Sequence, residues 1–126
     1  MKTFLPLIIL LSFLGGCNID DNNNNSQKPI TNPIPEDYLN NNGADIFFLD
    51  GYVFSYASDV SWVLKLNYTL GEEIGEITNQ TEQASEFEDG SANVLPVGTK
   101  IYDTDTQAYI AIVNGKKIPY LKMMEG

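Results

Sequence analysis

The chain has 126 residues, enough for one small domain, and 17 Asp and Glu against 7 Lys and Arg give a formal net charge of −10. It contains no Arg and no His. We therefore expect no nucleic-acid partner, because such proteins neutralise phosphates with Lys and Arg. The absence of His, with a single Cys, also argues against Ser-His-Asp or Cys-His catalysis and against a zinc site. We expect no metal site and no cofactor.

The first sixteen residues have the pattern of an export signal. Met1 and Lys2 give a positive start, residues 4–13 are mostly apolar, and Leu-Gly-Gly-Cys follows, ending at Cys17. The segment is too short to span a bilayer. It resembles the signal peptides of bacterial lipoproteins, in which this Cys receives a diacylglyceryl group before cleavage. The alternatives are an ordinary secretory signal with a chance cysteine, or an uncleaved anchor.

Lipidation of Cys17 is what the resemblance implies. A single cysteine in an exported protein would otherwise be an isolated reactive thiol. Two acyl chains on one residue make membrane attachment stable. The implied location is the extracytoplasmic face of the cell membrane, with the membrane as a partner through the lipid on Cys17.

Residues 17–42 form the second predicted region, a lipidated Cys followed by an Asn- and Pro-rich tether. Such composition does not bury enough apolar surface to offset the entropy of ordering, so this region is predicted to be disordered. The alternative, that the segment folds onto the domain, would depend on Tyr38 and Leu39. The domain itself is predicted to cover residues 43–126.

Short β-type segments begin the domain. Residues 45–49 and 52–56 are rich in aromatic and β-branched residues and flank Asp50-Gly51. Asp-Gly between such runs predicts a β-hairpin.

The next segments predict two further strands. Apolar and polar residues alternate over residues 60–69, with only Val63 out of phase, which predicts a half-buried strand with Trp62 facing the core. Residues 74–77 predict another short strand, in which Gly75 marks a bulge or a close approach.

Residues 79–93 have no regular period. A connection of this length in a compact domain is predicted to be mobile or functional. The segment is acidic and lacks Lys, and we take five of its residues as the candidate partner-binding site: Glu82, Glu86, Phe87, Glu88 and Asp89. Phe87 either anchors a partner or packs into the core. The surface is predicted to include the neighbouring turn at residues 95–102.

Three strands are predicted at the end of the chain, at residues 99–102, 108–113 and 117–123. Asn114-Gly115 is typical of a type I′ hairpin turn. Pro119 lacks an N–H donor, which predicts that the last strand lies at an edge or breaks there. The predicted fold is all-β or β-rich α+β, a small antiparallel meander with a partly open barrel as its curled form.

Residues 62–120 carry a second resemblance, whose most specific part is Leu-Pro-Val-Gly-Thr-Lys-Ile-Tyr at residues 95–102. This region looks like a small extracytoplasmic domain of lipoproteins from Gram-positive bacteria. Most of those proteins have no assigned function, and similar domains occur on membrane-bound sensors. The resemblance implies a domain type rather than an activity.

These observations favour a binding or accessory role without enzymatic activity. The acidic residues would permit acid–base chemistry, but about 84 domain residues leave little room for a substrate cleft. Asp103-Thr-Asp105 opens like a calcium loop yet has Ala108 where the loop needs glycine. The alternative function is that of an acidic immunity or inhibitor lipoprotein that blocks a basic toxin or hydrolase. A protein partner is possible in either case, and its identity stays open.

Overall fold

A computed structural model describes residues 32–124, and Cys17 with the signal segment lies outside the described residues. The helical elements are α1 (Glu36–Leu39), α2 (Ser61–Leu64) and a 3₁₀ turn (Ala84–Glu86). The strands are β1 (Ile46–Leu49), β2 (Tyr52–Tyr56), β3 (Leu70–Glu76), β4 (Asn79–Gln80), β5 (Ser91–Ala92), β6 (Lys100–Thr104), β7 (Ala108–Val113) and β8 (Lys116–Met123).

The eight strands form one sheet in the order β3-β6-β7-β8-β2-β1-β5-β4. Every neighbouring pair is antiparallel except β4 and β5, which are parallel. The sheet curls into a half-barrel. The predicted β-rich fold is therefore confirmed.

Two tight turns set the register of the sheet. Asp50 and Gly51 have φ of 54° and 83°, and Asn114 and Gly115 have φ of 52° and 79°. Positive φ at both central residues defines the type I′ turn, whose twist matches that of the flanking strands. Both hairpins predicted from these dipeptides, β1–β2 and β7–β8, are confirmed.

One continuous segment connects the two ends of the sheet. β3 pairs with β6 at one end, and β4, only two residues further along the chain, pairs with β5 at the other. Between them the Ile77 N–H donates to the Thr99 carbonyl at 2.7 Å, and its own carbonyl accepts the Gly98 N–H at 2.7 Å. The Thr78 N–H donates to the Gly90 carbonyl at 2.9 Å. Residues 77–78 thus bond to both halves of the sheet.

Gly75 lies where β3 bends. The pairing register with β6 shifts between Glu73 and Gly75, as a β-bulge requires. A Cβ at Gly75 would lie 2.7 Å from the Leu49 side chain. The prediction of a bulge or a close approach at this glycine is confirmed on both counts.

Aromatic rings fill the inner side of the sheet. Phe47 stacks on Phe54 with 4.6 Å between ring centroids, and Tyr120 packs against Phe47 at 5.0 Å. All three side chains are buried, together with Leu49, Ile77, Ala92, Leu95, Ile101 and Ala111. Cross-strand aromatic pairs of this kind contribute beyond their buried area.

The predicted strand over residues 60–69 is wrong. Ser61–Leu64 is a short helix, and Val63, the residue out of phase with the alternation, is its buried side chain. Val60, Val63 and Leu66 pack together with Ala57, Ala108 and Leu121. Their spacing of three places them on one face of a helical turn. Trp62 points outward and is 47% exposed, so the predicted inward orientation of Trp62 is also wrong.

Pro119 does not mark an edge. β8 lies between β7 and β2, and Pro119 pairs with Ile110 inside it. The Pro119 carbonyl accepts the Ala57 N–H at 2.9 Å, one residue beyond the end of β2. In an antiparallel strand, the nitrogen and the carbonyl of one residue point toward the same neighbouring strand. The Pro119 nitrogen therefore points toward Ala57, beyond the end of β2, where the ladder does not need an N–H donor. The expectation of an edge or a break at this proline is wrong for that reason.

Part of the segment assigned to the tether is folded. The chain forms a compact unit from Asn32 onward, and α1 lies against the 3₁₀ turn. The Asp37 carboxylate accepts the Ile34 N–H at 2.9 Å, and Tyr38 and Leu39 are half-buried. Residues 32–42 therefore continue the domain toward its N-terminus.

Val63→Ala should destabilise the protein more than Trp62→Ala. Removing two buried methyl groups from Val63 costs about 1.5–2.5 kcal/mol, whereas truncation at the half-exposed Trp62 costs about 1 kcal/mol or less. Urea unfolding of both variants measures the two free energies. Trp62 is the single tryptophan, and its fluorescence maximum should be that of a water-exposed indole. The opposite order of costs, with a blue-shifted maximum, would contradict the helical assignment.

Candidate functional site

Hydrogen bonds fix the acidic loop between β4 and β5. The Asn79 amide donates to the Ser91 hydroxyl at 2.9 Å, and that hydroxyl also accepts the Glu88 N–H at 3.0 Å. The Thr81 hydroxyl donates to the Glu86 carboxylate at 2.8 Å and accepts the Gln83 N–H at 3.1 Å. With the 3₁₀ turn, these contacts order a segment that has no periodic pattern in its sequence.

The four predicted acidic residues fall into two groups. Glu86 bonds Thr81 within the loop, and the Asp89 carboxylate accepts the Asp50 N–H in the β1–β2 turn. The Glu82 and Glu88 side chains are exposed and make no ion pair or hydrogen bond with other described residues. Half of the acidic residues thus hold the loop in place, and half remain available to a partner.

Phe87 is half-buried and lines a groove of about 300 Å³. The groove lies between the N-terminal segment and the 3₁₀ turn, and its lining is mostly apolar: Ile34, Pro35, Glu36, Phe48, Ala84, Ser85 and Phe87. Ile34 is 50% exposed, so its side chain forms an open wall. Phe87 therefore stands at the surface of a groove rather than within the buried core.

The charge around this groove has a single sign. Residues 34–37 and 82–89 together contain six acidic residues and no Lys. Glu36 lines the groove directly, and its side chain makes no ion pair with the described residues. A low-polarity floor with acidic neighbours creates a negative potential at the groove.

The predicted surface is distributed over three cavities. Glu82 lines a second, polar cavity of about 240 Å³ beside residues 39–44. The turn at residues 96–99 lines a third, of about 190 Å³, with Ile112, Val113 and Asn114. Phe87 alone of the five candidate residues lines the apolar groove, with Glu86 and Glu88 as its chain neighbours.

Four groove residues outside the acidic loop are not identifiable from the sequence pattern: Ile34, Pro35, Glu36 and Phe48. The first three lie in the segment whose Asn and Pro content predicted a tether. Phe48 lies in a predicted strand, and the sequence pattern indicates no surface role for its side chain. Apolar residues between the prolines, in an otherwise polar segment, were the available signal for a folded continuation.

One titratable pair lies inside the fold. The Tyr120 hydroxyl donates to the Asp45 carboxylate at 2.7 Å, and Tyr120 is fully buried. Burial raises the pKa of Asp45, and the hydrogen bond from Tyr120 offsets part of that rise. Burial, followed by the hydrogen bond to Asp45, raises the pKa of Tyr120. Buried polar groups need partners, and this bond satisfies both in the core.

The two aspartates of the calcium-like motif also have structural partners. The Asp103 carboxylate accepts the Glu72 N–H at 2.7 Å, and the Asp105 carboxylate accepts the Thr69 N–H at 2.8 Å. They fasten the start of β3 to the rest of the sheet. Over residues 32–124 no three metal-ligating side chains cluster as a metal ion would require.

No helix in the part of the chain that the structure describes is long and apolar enough to cross a bilayer. No protein-family model, curated protein or solved structure matches the chain.

The burial of Asp45 should give stability a specific dependence on pH. Because the pKa of Asp45 is raised in the folded state, its protonation favours folding. This contribution of Asp45 to the free energy of unfolding is complete below its ordinary pKa of 3.8, and it is lost as the pH rises through its pKa in the folded protein. The unfolding free energy of the native protein relative to Asp45→Asn should therefore fall with rising pH and then level off. Urea titrations at several pH values measure this difference.

Asp45→Ala supplies the matched comparison. It leaves the buried Tyr120 hydroxyl without its acceptor, which costs about 1–3 kcal/mol, whereas Asp45→Asn retains an acceptor oxygen. A relative stability that increases with pH, or equal stability of the two variants, would contradict the assigned role of the pair.

Proposed function

We propose that this protein is a membrane-tethered extracytoplasmic lipoprotein with a binding role, and that it holds a basic segment of a partner protein. The groove lined by Ile34, Glu36, Phe48 and Phe87 is the observation that carries the proposal, together with the six acidic residues of segments 34–37 and 82–89, both of which contribute to its walls. Lipidation of Cys17 and location at the outer face of the cell membrane belong to the same proposal. They rest on the signal-like sequence of residues 1–17.

The groove suits one large apolar side chain. Its volume of about 300 Å³ is at the lower end of the range for ligand sites. The phenyl rings of Phe48 and Phe87 offer apolar contact, and the exposed Ile34 would lose contact with water on binding. Burying such surface supplies affinity in proportion to its area.

The acidic residues would select the flanks of that segment. The carboxylates of Glu36 and Glu88 make no ion pair or hydrogen bond with other described residues, so pairing them with Lys or Arg would break no existing contact. Electrostatic complementarity chiefly speeds encounter and excludes wrong partners. The favoured ligand is therefore a peptide segment with an apolar side chain between positive charges.

The groove is close to the start of the folded domain. Ile34 is only two residues after Asn32, where the compact unit begins. If residues 18–31 act as the tether that their composition predicts, they would reach about 20 Å. A tether of that reach would keep the domain close to the membrane surface.

The order of the acidic loop favours a second candidate, inhibition of a basic toxin or hydrolase. The loop is held by the bonds of Asn79, Thr81 and Ser91 before any partner arrives. Preorganised loops lose little entropy on binding and are typical of inhibitors. An inhibitor would use the same groove and would abolish its target's activity, whereas an accessory protein would not.

The peptide Lys-Lys-Phe-Lys-Lys should bind the groove, and Lys-Lys-Ser-Lys-Lys and Glu-Glu-Phe-Glu-Glu should bind at least about tenfold more weakly. The reason is that the first peptide alone satisfies both the apolar floor and the acidic flanks. Binding should weaken several-fold as salt is raised, because exposed charges are screened. Titration calorimetry or peptide fluorescence anisotropy measures these affinities.

Matched variants locate the binding. Glu36→Gln with Glu88→Gln should weaken it, and Asp59→Asn with Glu72→Gln, which removes the same charge elsewhere, should leave it within about twofold. Ile34→Ser should weaken it more than Val97→Ser, another exposed apolar residue. Equal effects from the test and control pairs would reject the groove as the binding site.

Cys17→Ser should abolish membrane attachment or leave an unprocessed precursor, because serine has no thiol to receive the lipid. Membrane fractionation, with the mass of the N-terminal peptide, measures both results. A Cys17→Ser protein that is processed to the native mass and stays with the membrane would reject the lipoprotein assignment.

A further inference from the structure

Lys122 occupies an unusual position at the end of β8. Its ammonium nitrogen lies 4.5 Å from the centroid of the Tyr52 ring, 5.5 Å from that of Tyr109 and 5.9 Å from that of Phe54. All three distances are within the range of cation–π attraction. Alternation along β8 places Lys122 on the same side as the buried Tyr120, and it pairs across the ladder with Phe54. The rings thus fix the position of the charge.

A cavity opens beside this charge, at the start of β7 and the end of β8. Its volume is about 330 Å³, and its lining residues are Gln107, Tyr109, Leu121, Lys122 and Met124. Met124 and the Tyr109 ring supply apolar surface, and Met124 is 61% exposed. The Gln107 amide and the Tyr109 hydroxyl are hydrogen-bond groups without a side-chain partner among the described residues. A mostly apolar cavity with a few converging polar groups is the usual form of a small-molecule site.

The charge of Lys122 is not balanced by an acidic residue within the described part of the chain. Lys100, by contrast, lies 3.6 Å from Glu73 and 3.3 Å from Glu76. In a chain with a net charge of −10, acidic partners are abundant, and this cavity has none in its lining. The site therefore presents one fixed positive charge with donor groups and apolar walls.

We propose that this cavity binds a small organic anion, specifically a carboxylate attached to an apolar or aromatic group. The carboxylate would accept from the Lys122 ammonium and the Gln107 amide, and the apolar part would lie against Met124 and the Tyr109 ring. Charge-assisted hydrogen bonds are the stronger kind. A cationic ligand is disfavoured because Lys122 already occupies the faces of the rings. This site is separate from the acidic groove and does not depend on the function proposed for it.

Phenylacetate tests the proposal with two matched probes, phenylacetamide and phenethylamine, which keep the ring and change the head group. Amide chemical shifts of the full chain are followed by NMR. We expect phenylacetate to shift the amides of Gln107, Tyr109 and Lys122 with a dissociation constant in the millimolar range. Phenylacetamide should bind at least about fivefold more weakly, and phenethylamine should give no shifts there.

Variants of one strand supply the control. Lys122→Gln should weaken phenylacetate binding at least about fivefold, and Lys122→Arg should retain it within about twofold, because Arg keeps the charge and the ring contact. Lys117→Gln removes an exposed charge from the same strand and should change nothing. Thermal unfolding checks that each variant is folded. If Lys122→Gln does not fold, the three probes on the native chain decide. Equal binding of the acid and the amide, or no shifts with phenylacetate, would overturn the proposal.

Discussion

The backbone bonds of Ile77 and Thr78 are the constraint on which the rest of the structure depends. Ile77 bonds to Thr99 and Gly98 near β6, and Thr78 bonds to Gly90 near β5. A single pair of residues therefore ties together strands that stand at opposite ends of the sheet order. Because the sheet curls, it encloses the rings of Phe47, Phe54 and Tyr120. There is no disulfide among the described residues, so the packing of these rings has to stabilise the domain.

Local chemistry in the sequence predicted much of this fold. A type I′ turn requires positive φ at both central residues, which Asp-Gly and Asn-Gly tolerate better than most dipeptides, so the hairpins at Asp50 and Asn114 were predictable from the sequence. The helix at Val63 was not predictable in this way. Over so short a span, a strand pattern and a single helical turn differ only in whether one residue, Val63, is buried. The edge or break predicted at Pro119 is wrong because a central strand accepts proline where the neighbouring ladder has ended. The position at which β2 ends is not visible in the sequence of β8.

The site was less predictable than the fold. The acidic residues of the loop were visible in the sequence, but the roles of Glu86 and Asp89 depend on Thr81 and Asp50, which the fold alone brings near. Ile34 contributes to the groove through a segment whose composition resembles a tether. The alternation of side chains along β8 predicts that Lys122 and Tyr120 share a face. The three rings that Lys122 contacts belong to β2 and β7, so these contacts could not be predicted from β8 alone.

The position of β8 has a consequence for the order in which the protein folds. β8 is the last of the strands described along the chain, but it lies in the middle of the sheet, between β7 and β2. The β1–β2 hairpin can form early, but the free edge of β2 pairs with residues that lie some sixty-five positions later in the chain. Topologies dominated by such distant pairings fold slowly. On a chain emerging from a ribosome, the sheet would remain incomplete until β8 is available to pair with β2.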